Sequence, residues 1–360
     1  MSSEIVAPSS GSSAGRPRMA AATRRPRPVT LADVAREAGV SPATASFVLS
    51  GRAGRRSAGS AATKEKVREA ATRLGYVPNR AAQAMRTGRT NSIVIAMGTI
   101  GDPWGNSLTR AVRDRALESS LSTLLLVDER WFEFLSGYTS DCSFITSVDF
   151  APDGIQHVRQ LSASGHAIVA FSENLDPEGF DVVKSSPRTA VEDAYRRLRE
   201  RNPSVSFLSH RPVAPDPSPT YTSRGNVFRQ TARADGDPVS AASVHAVTEG
   251  SGTSLENCIA WLSRPDRPTA VVCSTGFVAL TLQSAALRLG IGVPDELEII
   301  SIGDIPEEAV YLESVSYYGV SDVFERIGKV IVDRALDREN SPGTLHDFAW
   351  EFFPGATTRD

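Results

Sequence analysis

The chain of 360 residues carries 39 Lys and Arg against 42 Asp and Glu, and 41% of its residues are hydrophobic. That length exceeds what one hydrophobic core usually supports, so we expect two or three domains. The sequence contains no apolar run near the roughly 18 residues of a membrane span and no secretory signal, which predicts a cytoplasmic protein without membrane contact.

The charge is distributed unevenly along the chain. Residues 1–90 hold 16 Lys and Arg against 5 Asp and Glu, whereas residues 91–360 hold 23 against 37. A basic front segment suggests a polyanionic partner, although a solvated basic tail would give the same balance. Composition alone leaves these two interpretations open.

Residues 1–28 consist mostly of Ser, Gly, Ala, Pro and Arg, and we expect them to form a disordered basic tail. Their arginines either follow the phosphates of a bound nucleic acid or have no role. Met19 is an alternative translation start.

Residues 29–77 carry the most informative pattern in the chain. LADVAREA (31–38) has the apolar spacing of a short helix, and Gly39 suits a tight reversal. Ser41 then serves as the N-cap of a second helix, with Pro42 at its first position. Two short helices joined by such a turn predict a helix-turn-helix, whose second helix lies in the major groove of DNA.

A third helix and a linker follow. The third helix is expected from about Thr63 to Leu74, with Gly75 as its stop. Residues 78–90 form a linker in which NRAAQAMR favours a helix too short to be stable alone in water. An exposed Met85 on such a helix suits insertion into a minor groove, whereas an ordinary linker with an isolated Met is the alternative.

The remaining chain alternates short apolar strands with helices, the pattern of parallel sheets covered on both faces. We expect two doubly wound α/β subdomains within residues 91–354, with any ligand beyond the carboxyl ends of the strands or between the lobes. Helices are predicted at 104–118 and 187–200. The predicted strands span 92–97, 122–127, 143–148, 166–171, 181–183, 205–208, 243–247, 269–274 and 297–302.

The sequence contains no catalytic or metal-binding motif. It lacks a Walker loop, GxGxxG after a strand, HExxH and GxSxG, and its five histidines are scattered. We predict a protein that is not an enzyme and uses no cofactor or metal. The three cysteines have no CxxC spacing, and we expect buried thiols at Cys142, Cys258 and Cys273.

The segments VTLADVAREAGVSPATASFVLSG and TKEKVREAATRLGYVPNRAAQAMRTGRT resemble the head and hinge of the lac-repressor (LacI/GalR) family of transcriptional regulators. Looser similarity extends to about Phe353, through DPW, RPDRPTAVV and LGIGVPDELEIISIGDIP. The resemblance implies a homodimer that reads a two-fold DNA operator, and a core like that of periplasmic binding proteins. Its N-lobe would span about 91–184 and 318–337, its C-lobe about 185–317 and 338–354, with a tail at 355–360.

The DNA-reading positions depart from the pattern that the resemblance implies. Pro42, Ala43 and Phe47 stand where polar or basic side chains often contact bases, and they offer thymine-methyl contacts instead. Hydroxyls and one amide remain available for phosphates. The full set of DNA-contact candidates is Thr30, Ser41, Pro42, Ala43, Thr44, Ser46, Phe47, Arg52, Arg55, Asn79, Ala82, Gln83 and Met85.

The effector pocket of the family is also altered here. Thr99, Ser185, Ser186 and Gly303 replace its usual polar residues, and Thr275-Gly276 replaces an Asn-Asp pair. The resemblance leaves Trp104, Arg224, Thr275 and Asp304 as candidate effector contacts, which favours an aromatic or anionic small molecule. Structural roles for Trp104 and Arg224 are the alternative. Three functions therefore stay open: an effector-gated repressor, an effector-blind DNA-binding regulator, and an α/β enzyme tethered to DNA.

Overall fold

The computed structural model contains two compact units, Met1–Gln83 and Ala84–Asp360. The residues that the structure describes are 27, 29–49, 60–98, 103–127, 130–149, 151–213, 223–303, 305, 314–337 and 341–359.

Three helices form the core of the first unit: α1 (Leu31–Ala38), α2 (Pro42–Leu49) and α3 (Ala61–Leu74). Gly39 and Gly75 end α1 and α3 in the left-handed conformation, with φ of 66° and 64°. Only glycine adopts that conformation without steric cost, so both predicted stops are confirmed. α3 begins two residues before the predicted Thr63, because the hydroxyl of Ser60 accepts a hydrogen bond from the amide of Thr63.

Small side chains fill the centre of this unit. The buried set contains Val34 and Ala35 of α1, and Ala45 and Val48 of α2, which are the residues that the apolar spacing placed inside. α3 completes the cluster with Val67, Ala70 and Ala71. The buried stripes of three short helices therefore close one core, and the opposite faces of α1 and α2 remain at the surface.

A fourth helix, α4 (Arg80–Thr87), forms where the linker helix was predicted. The boundary between the two units falls within this helix. The side chain of Asn79 caps it, since Oδ1 accepts from the amide of Ala82 at 3.1 Å. Gly88 follows with φ of 67°.

The elements of the N-lobe are β1 (Ser92–Met97), α5 (Pro103–Glu118), β2 (Ser122–Val127), α6 (Trp131–Gly137), β3 (Cys142–Ile145), α7 (Gly154–Ala163), β4 (Ile168–Phe171), β5 (Asp181–Lys184), α13 (Val323–Leu336) and β11 (Leu345–Asp347). The six strands form a wholly parallel sheet in the order β11-β5-β4-β3-β1-β2. Alternate residues of β1 face opposite sides: Ile93 and Ile95 pack against α5 and α13, whereas Val94 and Ala96 pack against α6 and α7.

The C-lobe repeats this plan with the sheet order β12-β10-β9-β8-β6-β7, in which only the β10–β12 pair is antiparallel. Helices cover both faces of this sheet as well. Its elements are α8 (Arg188–Arg199), β6 (Ser206–Ser209), α9 (Arg224–Ala234), α10 (Pro238–Ala242), β7 (Val244–Ala246), α11 (Ser254–Leu262), β8 (Ala270–Cys273), α12 (Gly276–Leu289), β9 (Glu298–Ile302), β10 (Ser316–Gly319) and β12 (Glu351–Phe353). The predicted doubly wound α/β class is confirmed.

The C-terminal boundaries of the two lobes require correction. We assigned residues 338–354 to the C-lobe, but β11 pairs with β5 in the N-lobe sheet and Phe348 is buried in the N-lobe core. The assignment of 355–360 to a tail was also wrong for the described part. Thr357 is fully buried and its hydroxyl donates to the carbonyl of Ile299 at 2.7 Å, so this segment completes the C-lobe.

The three cysteines are free and buried, as predicted. Burial raises the pKa of the Cys258 thiol to about 11 and raises that of Cys142 and Cys273 as well. Among the described helices, none combines the length and the apolar character needed to cross a membrane.

A buried carboxylate joins α8 to α10. Burial by itself would raise the pKa of Asp237, but hydrogen bonds from Ser240, Arg199 and Tyr195 outweigh burial and lower it to about 2. Oδ2 accepts from the hydroxyl of Ser240 at 2.6 Å and from Arg199 Nε at 2.7 Å. The ionised carboxylate is therefore stabilised in the folded state.

We expect Asp237→Asn to lower the free energy of unfolding by about 2 kcal/mol at pH 7, as measured with urea. Because the folded-state pKa lies below the ordinary value of 3.8, this contribution is complete above about pH 4 and disappears as the pH falls through about 2. Asp266→Asn, at a side chain that is 67% exposed, serves as the control and should leave the midpoint of urea unfolding nearly unchanged. A deficit in Asp237→Asn that stays constant between pH 7 and pH 3 would contradict this assignment.

Candidate functional site

The outward surface of α2 is the first candidate site. Pro42 and Ala43 are exposed in its first turn, and Ser46 and Phe47 are half-buried. Ala45 and Val48 occupy the buried side, as the helical spacing predicted. The surface that α2 offers to a partner therefore consists of hydrocarbon and hydroxyl groups.

Two hydroxyls at the start of α2 are engaged locally. The amide of Thr44 donates to Ser41 Oγ at 3.1 Å, which confirms Ser41 as the N-cap. The hydroxyls of Ser41 and Thr44 lie 2.9 Å apart and bond to each other. They stabilise the first turn of α2 and also lie at the helix N-terminus, where an anion such as a phosphate is favoured.

Thr30 has a similar local role at α1. Its amide and hydroxyl both donate to Asp33 Oδ2, at 2.9 and 2.6 Å, and the amide of Asp33 lies 3.4 Å from Thr30 Oγ1. These bonds from Thr30 lower the pKa of Asp33. The reciprocal pair is a capping box, so the hydroxyl of Thr30 already donates within the protein.

The exposed side of α4 is the second candidate site. Met85 is 91% exposed and Ala82 is exposed on the same short helix. Single exposed apolar side chains are common on protein surfaces, so it is the position of Met85 on a helix next to the helix-turn-helix that makes it a candidate contact. Arg52, Arg55 and the side chain of Gln83 lie outside the part that the structure describes.

A buried carboxylate holds the chain just beyond α4, and it was not among the residues predicted from the sequence. Asp141 accepts hydrogen bonds from the amides of Thr90 and Asn91, at 2.8 and 3.0 Å, and from Arg89 Nε at 3.2 Å. Arg89 also donates to the carbonyl of Ala335 at the end of α13. The carboxylate of Asp141 therefore fixes residues 89–91, where the linker joins the N-lobe. We call this set of contacts the Asp141 anchor. No local motif marks Asp141, because its partners lie some 50 residues earlier in the chain.

Two of the candidate effector residues, Arg224 and Thr275, lie beyond the carboxyl ends of strands, where ligand sites occur in such sheets. Arg224 is the first residue of α9 and donates to the carbonyls of Ser274, after β8, and Ile302, at the end of β9. Its guanidinium also lies 5.4 Å from the ring centre of Trp350. Arg224 thus holds two strand ends together and stands beside an aromatic ring.

Trp350 connects the two lobes, and it carried no signal in the sequence. It packs against the cores of both lobes, and its Nε1 donates to Ser185 Oγ at 3.0 Å. An indole at this point, where the chain crosses from one lobe to the other, places an aromatic surface next to Arg224.

Trp104 belongs to an aromatic cluster of the N-lobe. Its ring lies 5.5 Å from that of Phe171, at the end of β4, and 6.1 Å from that of Phe324. Thr275 caps α12 by accepting from the amide of Val278 at 3.4 Å. The fourth candidate, Asp304, lies outside the described residues.

Glu173 adds a carboxylate two residues beyond β4. Burial raises its pKa, and the hydroxyl of Ser186 donates to it at 3.1 Å, which acts in the opposite direction. The positive charges of Arg224 and Arg188 also lower the pKa. The positive charge of the C-lobe arginine therefore acts on a carboxylate of the N-lobe.

Within the described part of the chain, no three His, Cys, Asp or Glu side chains are grouped to hold a metal ion. The geometry instead combines a helix-turn-helix whose second helix is exposed with a two-lobed α/β core that presents polar and aromatic groups at its strand ends. These features define a DNA-binding regulator with a core of the periplasmic-binding-protein type.

Comparison with known proteins agrees with that class. Residues 30–79 match the family model described as bacterial regulatory proteins, lacI family, and residues 205–348 match that of a periplasmic binding protein-like domain. The chain thus joins a DNA-binding head of the lacI family of bacterial regulatory proteins to a periplasmic-binding-protein-like domain, and that family consists of regulators, not enzymes.

The similarity to individual members is distant. The chain is 25% identical over 282 residues to catabolite control protein A of Priestia megaterium, covering 76% of this chain and 81% of that protein. It is 27% identical over 283 residues to the HTH-type transcriptional regulator DegA of Bacillus subtilis, covering 75% and 80%. The structure of the lac repressor dimer bound to operator and an anti-inducer has a TM-score of 0.66 at 19% identity, covering 93% and 100%. That likeness establishes a shared fold.

Proposed function

We propose that the protein is a transcriptional repressor that binds a two-fold DNA operator as a homodimer, with α2 in the major groove and α4 in the minor groove. The exposed first turn of α2 within a helix-turn-helix carries this proposal. The exposed Met85 on α4 supports the minor-groove contact, because apolar side chains inserted between base steps bend the duplex.

The edge of the N-lobe sheet supports the homodimer. β2 is the outermost strand, and it exposes Leu124, Leu125 and Val127 by 37%, 42% and 44%. Proteins usually bury an apolar strand at a sheet edge against another segment or chain. A two-fold operator requires two copies of the chain, so we assign a second copy to this edge. The known lac repressor structure is a dimer bound to operator, which agrees with this assignment.

Selection of binding sites from a random duplex pool, with the full chain, tests this function. We expect an inverted repeat whose half-sites lie on one face of the duplex, because each copy contributes one α2. Enrichment of no sequence would contradict sequence-specific binding, and enrichment of a single half-site would contradict the two-fold dimer.

We further propose that a small molecule bound between the lobes regulates DNA binding. Arg224 and Trp350 lie side by side where strands of the two lobes end, and a guanidinium next to an indole suits an aromatic or anionic ligand. A ligand that favours one arrangement of the lobes changes the affinity for DNA, and DNA changes the affinity for the ligand by the same factor. The alternative is a regulator that binds no effector. It is supported by the two hydrogen bonds that Arg224 already donates to main-chain carbonyls, which give this side chain a structural role.

Calorimetry against a panel of anionic and aromatic metabolites separates these alternatives. For any compound that binds, we expect Arg224→Ala to weaken binding about tenfold or more, since a hydrogen bond to a charged group is lost. Arg224→Lys keeps the positive charge and serves as the control for folding of the C-lobe. If no compound in the panel binds, the result supports the effector-blind regulator. If a compound binds and neither substitution changes its affinity, Arg224 is excluded as a ligand contact.

A further inference from the structure

The chemistry of α2 is unusual for a helix that reads DNA sequence. Its residues, PATASFVL, include no Asn, Gln, Arg, Lys, Asp, Glu or His. Recognition of guanine or adenine by two parallel hydrogen bonds needs a guanidinium, an ammonium or a carboxamide. α2 therefore cannot identify a purine through its major-groove edge by that route.

The groups that α2 does expose are apolar. The pyrrolidine ring of Pro42 and the methyl group of Ala43 are exposed in the first turn, the part of a recognition helix that meets the base edges. The hydroxyls of Ser41 and Thr44 bond to each other and to the first turn of the helix. Pro42 and Ala43 can therefore recognise a base only through van der Waals contact with a methyl group.

We infer that α2 recognises the C5 methyl group of pyrimidines, whether it belongs to thymine or to 5-methylcytosine. Both bases carry this methyl group at the same place in the major groove. Beside it, thymine presents a hydrogen-bond acceptor, whereas 5-methylcytosine presents a donor. Neither Pro42 nor Ala43 can sense that difference, and the hydroxyl of Ser46 both donates and accepts, so it tolerates either base. Affinity for a site therefore responds to cytosine methylation at the positions that α2 contacts. This inference rests on the proposed function, in which α2 lies in the major groove.

The experiment changes the DNA and leaves the protein intact. In the selected duplex, each thymine is replaced in turn by uracil, which removes only the methyl group, and the affinity of the full chain is measured at fixed salt. We expect a loss of about fourfold for each contacted methyl group, and of about 15-fold when both symmetric positions are changed. At the same positions, a pair with 5-methylcytosine should bind about fourfold more tightly than the pair with unmodified cytosine.

Two matched protein variants assign the effect to α2. Ala43→Gly removes the exposed methyl group at the second residue of α2, and Ala62→Gly makes the same change at the exposed second residue of α3. We expect Ala43→Gly to reduce the loss caused by uracil at one position, and Ala62→Gly to leave it unchanged.

The outcomes distinguish this inference from the proposed function. Absence of any selected duplex overturns the proposed function and with it this inference. A selected duplex that binds equally well with uracil at every position overturns the inference alone. A uracil effect that is identical at every position in the protein and in Ala43→Gly overturns the assignment of methyl recognition to Ala43.

Discussion

Met85→Gly is expected to weaken binding to the selected operator by about 100-fold or more, because both copies of the proposed dimer lose the side chain. The side chain is 91% exposed in the free protein, so its burial in a minor groove would supply roughly 1.5–3 kcal/mol that glycine cannot supply. Glycine also disfavours α4 by about 1 kcal/mol relative to alanine, and that helix has only eight residues. Binding to an unrelated duplex should change by less than about twofold, because phosphate contacts dominate it.

Fluorescence anisotropy with the selected duplex and an unrelated duplex of equal length measures both affinities. Met85→Ala removes the side chain while keeping a strong helix former, so it separates the apolar contact from helix stability. Met85→Leu retains the apolar volume and should bind nearly as well as the original protein. Equal losses on the two duplexes would count against a contact that is specific to the operator complex.

Asp141→Asn is expected to lower the free energy of unfolding of the core by about 3 kcal/mol. The carboxylate side chain is 6% exposed and accepts from Thr90, Asn91 and Arg89 at once. An amide keeps one acceptor oxygen and turns an NH₂ group toward donors that are already present. The positive charge of Arg89, whose side chain is 20% exposed, then loses its partner.

Urea unfolding of the full chain, followed by tryptophan fluorescence of the core, measures this loss. Asp114→Asn is a suitable control because Asp114 pairs with Arg113 at the surface and is 57% exposed. That substitution should change stability by less than about 0.5 kcal/mol. A similar small change in Asp141→Asn would show that the Asp141 anchor does not hold the start of the N-lobe.

The helices of the head could be predicted from sequence because their signals are local. Apolar residues at helical spacing, Ser41 before Pro42, and glycines at positions 39 and 75 all act within one or two turns. The main strands were found for a related reason, since a central parallel strand is buried on both faces and is apolar throughout. β1 illustrates this, as all six of its residues are buried.

The two short edge strands near the C-terminus were not predicted. β11 and β12 have three residues each and are partly exposed, so neither forms an apolar run. Their sequences do not reveal which sheet they join, and the pairing of β11 with β5 overturned the predicted lobe boundary. Thr357 was missed for the same reason, because its burial depends on β9 and β10, which lie about 40 to 60 residues earlier.

In the candidate sites, too, the features set by neighbours in sequence could be predicted, whereas the long-range contacts could not. The sequence alone determined the helix-turn-helix, the apolar chemistry of α2 and the position of Met85 on a short helix, because these properties depend on neighbours within a few residues. The tertiary structure decided that Asp141 holds the linker, that Arg224 joins two strand ends and that Trp350 lies between the lobes. These contacts join residues some 50 to 165 positions apart, and such pairs meet only when the parallel sheets bring the ends of their strands together.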